Sequence, residues 1–133
     1  MKLTLNDAVL MIQGLTEIQT KEIPAKVSYW LARFSEKLQD ELKSMEKARL
    51  KLIEKYAEKD KNGNPLFKKD KDGNQLNVYD FKDNNLEKFS VEFNDLLKEE
   101  FEVDLNPINI SVLDDIKLKP ITLMQLGKIF TGE

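Results

Sequence analysis

The chain contains neither cysteine nor histidine. Without cysteine it has no disulfide and no thiolate nucleophile, which fits a reducing compartment. Without histidine it lacks the commonest general base and a common zinc ligand. Together these absences exclude the usual zinc, haem and nucleophile–base sites. We therefore expect no metal, no cofactor and no catalytic residue, and thus not an enzyme.

Long hydrophobic runs and phosphate-binding loops are missing as well. No stretch approaches the ~20 apolar residues that span a bilayer, and Asn6, Asp7 and Gln13 interrupt the apolar residues near the start. The five glycines form neither a Gly-rich phosphate loop nor a G-x-S-x-G motif. We expect a soluble, cytoplasmic protein without a signal peptide or a membrane partner.

The composition is that of one folded domain, residues 1–133, because 41% of the residues are hydrophobic and 34% are charged. The charge is unevenly distributed. Residues 43–71 contain ten basic and five acidic residues, whereas residues 72–115 contain three and twelve. The two regions either present oppositely charged faces to a partner or complement each other within the fold, and the sequence leaves both readings open.

Two helices are predicted in the first half. Thr4 and Asp7 have capping-box spacing and open a helix over residues 4–20. Pro24 suits the first turn of a second helix, over residues 24–59. The apolar face of the first helix consists of Ala8, Met11, Ile12, Leu15 and Ile18, which recur at three and four residues.

The second helix would be roughly 50 Å long at ~1.5 Å per residue, beyond the ~30 Å of a small domain. Its apolar stripe weakens where Glu41 takes a heptad position, so it is no strict coiled coil. The stripe is covered either by another copy or by later helices of the same chain, and both alternatives stay open. The candidate protein interface on this helix is Trp30, Phe34, Leu38, Leu42 and Met45.

One phrase occurs twice, as "KDKNGN" at residues 59–64 and "KDKDGN" at residues 69–74. An EF-hand loop needs Glu at its twelfth position, where these two copies have Lys69 and Tyr79. We therefore interpret the phrases as turns. The second forms the corner of a β-hairpin over residues 65–80, and Asn62–Asn64 of the first ends the long helix.

The basic segment also contains Tyr56, Phe67 and Tyr79, which could stack on nucleic-acid bases. Its only arginine is Arg49. Proteins that recognise specific bases rely on the guanidinium groups of arginine side chains. This segment predicts a weak, nonspecific polyanion site at most. The candidate residues are Lys51, Lys55, Lys59, Lys61, Lys68 and Lys69.

The second half alternates helices and strands. We predict a helix over residues 84–99, a strand over residues 101–105 that forms a small sheet with the hairpin, and a helix over residues 120–130. The predicted apolar face of the first of these helices consists of Leu86, Phe89, Phe93, Leu96 and Leu97. Residues 108–119 remain ambiguous between a strand and a helical turn. Glu102 and Asp104 share the solvent face of the strand, so we interpret them as solvated rather than catalytic. The fold class is α+β, mainly helical.

The long helix opens with "EIPAKVSYWLARF" and closes with "IEKYAEKDKNGN", and "FEVDL" precedes a short apolar tail. This layout resembles small uncharacterised proteins of bacteriophages and prophages of low-GC Gram-positive bacteria. The resemblance covers most of the chain. It implies a phage origin, and with it a role in assembly or host interaction, but it transfers no catalytic residue.

These observations predict a non-catalytic, phage-encoded protein-interaction or assembly protein that acts through its long amphipathic helix. The alternative is an inhibitor of a host factor, or a nucleic-acid-associated accessory protein, that uses the basic middle or the acidic second half. The expected partner is a protein, either a second copy or a phage or host protein. The expected location is the host cytoplasm or the virion.

Overall fold

The computed structural model describes residues 1–82 and 84–132. The fold is mixed α+β and mainly helical, as predicted. The predicted single domain contains two compact units. Unit 1 comprises Met1–Lys43 and Lys98–Glu133, and unit 2 comprises Ser44–Leu97.

The four predicted helices are present, with shorter bounds. They are α1 (Leu5–Ile18), α2 (Ala25–Tyr56), α3 (Asn85–Leu97) and α4 (Pro120–Leu126). The long helix ends three residues before the predicted residue 59, because Ala57 and Lys59 form β-bridges with Phe81 and Pro65. The last helix ends at Gly127, whose φ of 44° leaves the helical region. Two short 3₁₀ helices cover Ile110–Leu113 and Gly127–Ile129.

The strands form three separate two-stranded sheets in the described part of the chain. They are β1 (Lys2–Thr4), β2 (Phe67–Lys69), β3 (Gln75–Tyr79), β4 (Glu100–Glu102), β5 (Ile108–Asn109) and β6 (Phe130–Thr131). The predicted hairpin is the antiparallel pair β2–β3. The prediction that the third strand joins this hairpin is wrong, because β4 pairs antiparallel with β1. Strands β5 and β6 pair in parallel.

The first helix begins at the predicted capping box. The Asp7 amide donates to Thr4 Oγ1 at 3.0 Å, and the Thr4 amide donates to Asp7 Oδ2 at 3.0 Å. These reciprocal bonds satisfy two amides that would otherwise lack partners. They also fix the point where the extended residues of β1 turn into α1.

The core of unit 1 joins α1, the first half of α2 and the segments after β4. The predicted face of α1 is confirmed, since its five residues belong to the core or pack against it. The strand predicted over residues 101–105 is shorter and lies earlier, at Glu100–Glu102, but the predicted alternation of burial is present, because Val103 is buried while Glu102 and Asp104 are exposed. The buried core residues are Leu3, Ala8, Met11, Leu15, Ile18, Val27, Leu31, Phe34, Leu38, Val103, Ile108, Leu113, Leu126 and Ile129.

A glycine lets α4 approach α1 closely. A Cβ atom added at Gly14 would lie 3.0 Å from Leu126 Cγ and 3.1 Å from Gln125 Cβ. Leu126 is fully buried, so it has little room to move away. Next to this contact, the Gln125 side-chain amide donates to Gln13 Oε1 at 3.0 Å. Gly14 therefore sets the distance between the two helices.

We expect Gly14→Ala to lower the melting temperature, although alanine normally stabilises a helix by ~0.5–1 kcal/mol over glycine. The added methyl group overpacks the contact with Leu126, which typically costs about 1–3 kcal/mol. Thermal unfolding followed by circular dichroism measures the difference. Thr16→Ala is the control, because Thr16 is exposed on the same helix. A Gly14→Ala variant at least as stable as the wild type would contradict the close packing.

Unit 2 has far fewer buried side chains than unit 1. Among its described residues, the buried hydrophobic ones are Ile53 and Ala57. No residue of α3 is buried, and Leu86 on its predicted apolar face is 54% exposed. Phe89 and Phe93 of the same face stack with ring centroids 5.7 Å apart. The predicted apolar face of α3 is thus only partly covered.

Three backbone segments of unit 2 are joined by a closed ring of hydrogen bonds. The Glu58 amide donates to the Asp80 carbonyl, the Asp80 amide to the Leu66 carbonyl, and the Leu66 amide to the Glu58 carbonyl, each at 2.8 Å. Every member of the ring therefore donates once and accepts once. The ring ties the end of α2 to the base of the hairpin.

Candidate protein-binding groove

A groove of about 560 Å³ lies in unit 1 beside the first half of α2. Trp30, Arg33 and Phe34 line it from the helix, where their spacing of three and four residues places them on one face. The other wall is formed by residues 104–109, which follow β4 and include β5, and by Val112. We call this cavity the Trp30 groove.

Aromatic and charged side chains lie close to the Trp30 and Arg33 side chains of the Trp30 groove. The Lys26 ammonium lies 5.0 Å from the centroid of the Trp30 ring, and the Arg33 guanidinium lies 5.8 Å from that of Tyr29. Asp104 also lines the groove. Within residues 1–82 and 84–132, neither Arg33 nor Asp104 forms an ion pair. Both charges are therefore available to an occupant.

The predicted interface on α2 needs a correction, because its central residues are covered by the chain itself. Phe34 is 1% exposed and Leu38 is fully buried in the core of unit 1. Trp30, Leu42 and Met45 are half-buried. Of the five predicted residues, Trp30 and Phe34 line the Trp30 groove, and Phe34 contributes its floor rather than an accessible ring.

The six predicted polyanion-binding lysines are all exposed, but not all six face the same way. Lys68 and Lys69 are consecutive in β2, so their side chains point to opposite faces of the strand. Lys55 is engaged within unit 2, since its Nζ lies 3.5 Å from Glu92 Oε1. The Tyr56 side chain and the charge of Glu92 raise the pKa of Lys55.

The aromatic residues of the same segment also have partners. The rings of Phe67 and Tyr79 stack on each other with centroids 4.6 Å apart, and the Lys55 ammonium lies 5.0 Å from the centroid of the Tyr56 ring. A base that stacked on the face used by one of these contacts would compete with it. The arrangement does not favour nucleic-acid binding.

The two similar phrases fold into the same turn. In the first, Asp60 Oδ1 accepts hydrogen bonds from the amides of Asn62 and Asn64. In the second, Asp70 Oδ1 accepts from the amides of Asp72 and Asn74 at 2.9 and 2.8 Å. The glycine of each phrase has a φ near +80°, at 82° and 83°. The first phrase is therefore a second hairpin-type turn and not the end of α2, which corrects the prediction.

These turns use the carboxylates that a calcium loop would need as ligands. In the part of the chain that the structure describes, no group of His, Cys, Asp or Glu is arranged to hold a metal ion. The geometry agrees with the interpretation of the repeated phrase as two turns.

Asp70 makes the second turn sensitive to acid. Its bonds to the backbone amides, chiefly that of Asn74, hold the pKa of the carboxyl below its usual value. The charged form is therefore favoured by folding, and the stabilisation is present above the unfolded pKa of ~3.9. It should be lost as the pH falls through the lower folded pKa.

We expect the amide resonances of Asp72 and Asn74 to titrate together in an NMR pH series, with a midpoint below ~3.9. Asp70→Ala should abolish this shared titration, because it removes the acceptor. Asp60→Ala, in the equivalent turn, should leave it unchanged and serves as the control. A midpoint at or above the ordinary aspartate value would show that the carboxylate does not hold the turn.

A second groove, of about 700 Å³, lies in unit 2 and was not predicted from the sequence. Ile53 and Arg49 of α2, residues 77–81 and two residues of α3 line it together with Phe67 and Lys68. Its Arg49 is paired with Glu46, with Nη2 and Oε1 2.6 Å apart. Val78 of β3, which lines this groove, is 53% exposed.

The chain was compared with protein-family models, with curated proteins and with solved structures. None of the three comparisons gave a match. The resemblance to phage proteins therefore stays a prediction. No helix of the described residues is both long enough and apolar enough to cross a membrane.

Proposed function

We propose that this protein is a non-catalytic interaction protein, of the assembly type that its phage-like layout implies, and that it binds a partner protein through the Trp30 groove. The observation that supports this proposal is the position of Trp30 and Arg33 at one groove of unit 1. Tryptophan and arginine are enriched among the few residues that dominate binding energy at protein interfaces.

The burial of Phe34 and Leu38 restricts which side chains of α2 a partner could contact. Because these two residues belong to the core of unit 1, the apolar stripe of α2 is unavailable for a coiled-coil contact at their level. A partner that approaches this half of the helix would meet Trp30 and the exposed Tyr29 and Arg33 instead. The proposed contact is thus a groove that receives side chains, rather than a helix pair.

The test compares the proteins captured by the wild type and by Trp30→Leu. A residue of this kind typically contributes at least about 2 kcal/mol to binding, which corresponds to roughly 30-fold in affinity. We expect the captured partner to be lost with Trp30→Leu and retained with Met124→Ala. Met124 is a suitable control because it is 75% exposed in the same unit. Equal capture by Trp30→Leu and the wild type would contradict the proposal.

Light scattering at low and high salt separates the two kinds of protein partner. A salt-resistant oligomer that becomes monomeric with Trp30→Leu would identify the partner as a second copy. A monomer under all conditions would direct the search to a different protein.

A further inference from the structure

We infer that the Trp30 groove is specific for a peptide segment of a different protein, in which an apolar side chain stands between an acidic and a basic residue. This inference rests on the proposed function, since it specifies the chemistry of the segment that the same groove binds. It is carried by three features of the groove: its apolar floor, and a cation, Arg33, and an anion, Asp104, that form no ion pair within residues 1–82 and 84–132.

The floor and walls determine the apolar part of the segment. Phe34 and Ile108 are buried and form a fixed floor, while the half-buried Trp30, Leu105 and Val112 leave part of their surface in the groove. A volume of about 560 Å³ lies within the ~300–1,000 Å³ of typical ligand pockets. The groove therefore has room for a large apolar side chain together with its flanking backbone.

The positive charge of Arg33 determines where the bound segment should carry an acidic residue. Arg33 lines the groove from α2, and Lys26, on the same helix, places a second positive charge beside the Trp30 ring. An occupant that covers this wall removes water from the guanidinium, which is costly unless a carboxylate takes its place. An arginine fork also binds a carboxylate through two parallel hydrogen bonds. The segment should therefore present Asp or Glu toward α2.

The negative charge of Asp104 determines where the bound segment should carry a basic residue. Asp104 lines the groove from the segment that follows β4, and it has no ion-pair partner among the residues described. Arg33 and Asp104 come from different elements and form no ion pair with each other. A segment with only acidic residues would leave Asp104 uncompensated. Charge complementarity thus requires Lys or Arg on the side of the apolar residue that faces Asp104.

The experiment selects a displayed library of random octapeptides on the full-length protein, and then measures the binding of synthetic peptides. Trp30 is the only tryptophan of the chain, so its fluorescence reports on the groove directly. Each peptide is titrated against the wild type, Arg33→Gln, Asp104→Asn and Trp30→Leu, the last by calorimetry. Lys37→Gln is the matched control, because Lys37 is exposed one turn further along α2 and does not line the groove.

We expect the selected peptides to share the acidic–apolar–basic order. Arg33→Gln and Asp104→Asn should each weaken binding about tenfold or more, and Lys37→Gln should leave it unchanged. Arg33→Glu should recover affinity for a peptide whose acidic residue is replaced by lysine. Circular dichroism melts of each variant verify that the fold is retained.

Three results would overturn the inference. Peptides that need Trp30 but bind equally well to Arg33→Gln and Asp104→Asn would refute the charge requirement and leave the proposed function intact. Peptides that bind without any dependence on Trp30 would refute the use of the groove itself, and the proposed function with it. Trp30 emission that changes with protein concentration alone would identify the occupant as a second copy.

Discussion

Replacing Phe34 by alanine should lower the free energy of unfolding by about 3–5 kcal/mol, the usual cost of removing a buried aromatic ring. Phe34 is 1% exposed and belongs to the core of unit 1. Since whole domains are stable by only ~5–15 kcal/mol, the variant should unfold at a much lower denaturant concentration. Urea titration followed by circular dichroism measures this change.

The matched control is Tyr29→Ala, because Tyr29 lies on the same helix and is 60% exposed. Surface substitutions usually change stability by less than about 0.5 kcal/mol. If Phe34→Ala cost no more than Tyr29→Ala, the ring would lie outside the core. The comparison also bears on binding experiments, since a loss of partner binding by Phe34→Ala would include the effect of unfolding and could not be assigned to the groove alone.

Replacing Ile53 by alanine should cost about 2–5 kcal/mol, with the effect concentrated in unit 2. Ile53 is 1% exposed, and among the described residues of that unit it shares the buried hydrophobic positions only with Ala57. Few other contacts are therefore available to compensate for the missing side chain. Urea unfolding gives the magnitude, and hydrogen exchange of the β2 and β3 amides locates the effect.

Leu50→Ala is the control for Ile53→Ala. Leu50 lies almost one turn earlier in α2 and is 42% exposed, so its removal should cost far less. Faster exchange in β2 and β3 for Ile53→Ala alone is the expected pattern. Identical exchange in both variants would mean that Ile53 does not anchor the hairpin.

Local signals in the sequence predicted the helices well. The capping box at Thr4 and Asp7 involves residues three apart, so its hydrogen bonds depend on nothing distant. The faces of α1 and of the first half of α2 followed from helical periodicity. The corner at Asp70–Asn74 was likewise predictable, because the turn is held by bonds within those five residues.

Pairings between distant segments were not predictable. Strand β1 pairs with β4, whose residues are far away in the sequence, and β5–β6 is a parallel pair of only two residues per strand. Strands as short as β1, β5 and β6 carry no periodicity of their own, so tertiary contacts decide whether they form. The turn at Asp60 was missed for a related reason, since a glycine after a helix predicts a cap equally well.

The candidate site was predicted in part. The periodicity of α2 identified an apolar stripe that contains Trp30 and Phe34, but a single sequence does not tell which chain covers a stripe. The opposite wall, residues 104–109, was predicted only as the end of the strand at residues 104–105, and residues 108–109 were left ambiguous between a strand and a helical turn. Its contribution to a groove depends on how this segment packs against α2, which is a property of the folded chain.

The ring of hydrogen bonds among Glu58, Leu66 and Asp80 consists entirely of main-chain atoms. Its geometry is therefore indifferent to which side chains occupy these three positions, provided that none is proline. The segments between the ring members, in contrast, must keep the lengths that allow the two tight turns. Apart from the aspartate and glycine of each turn, this part of the chain should accept many substitutions and few insertions or deletions, so that related sequences would diverge here in residue identity while conserving spacing.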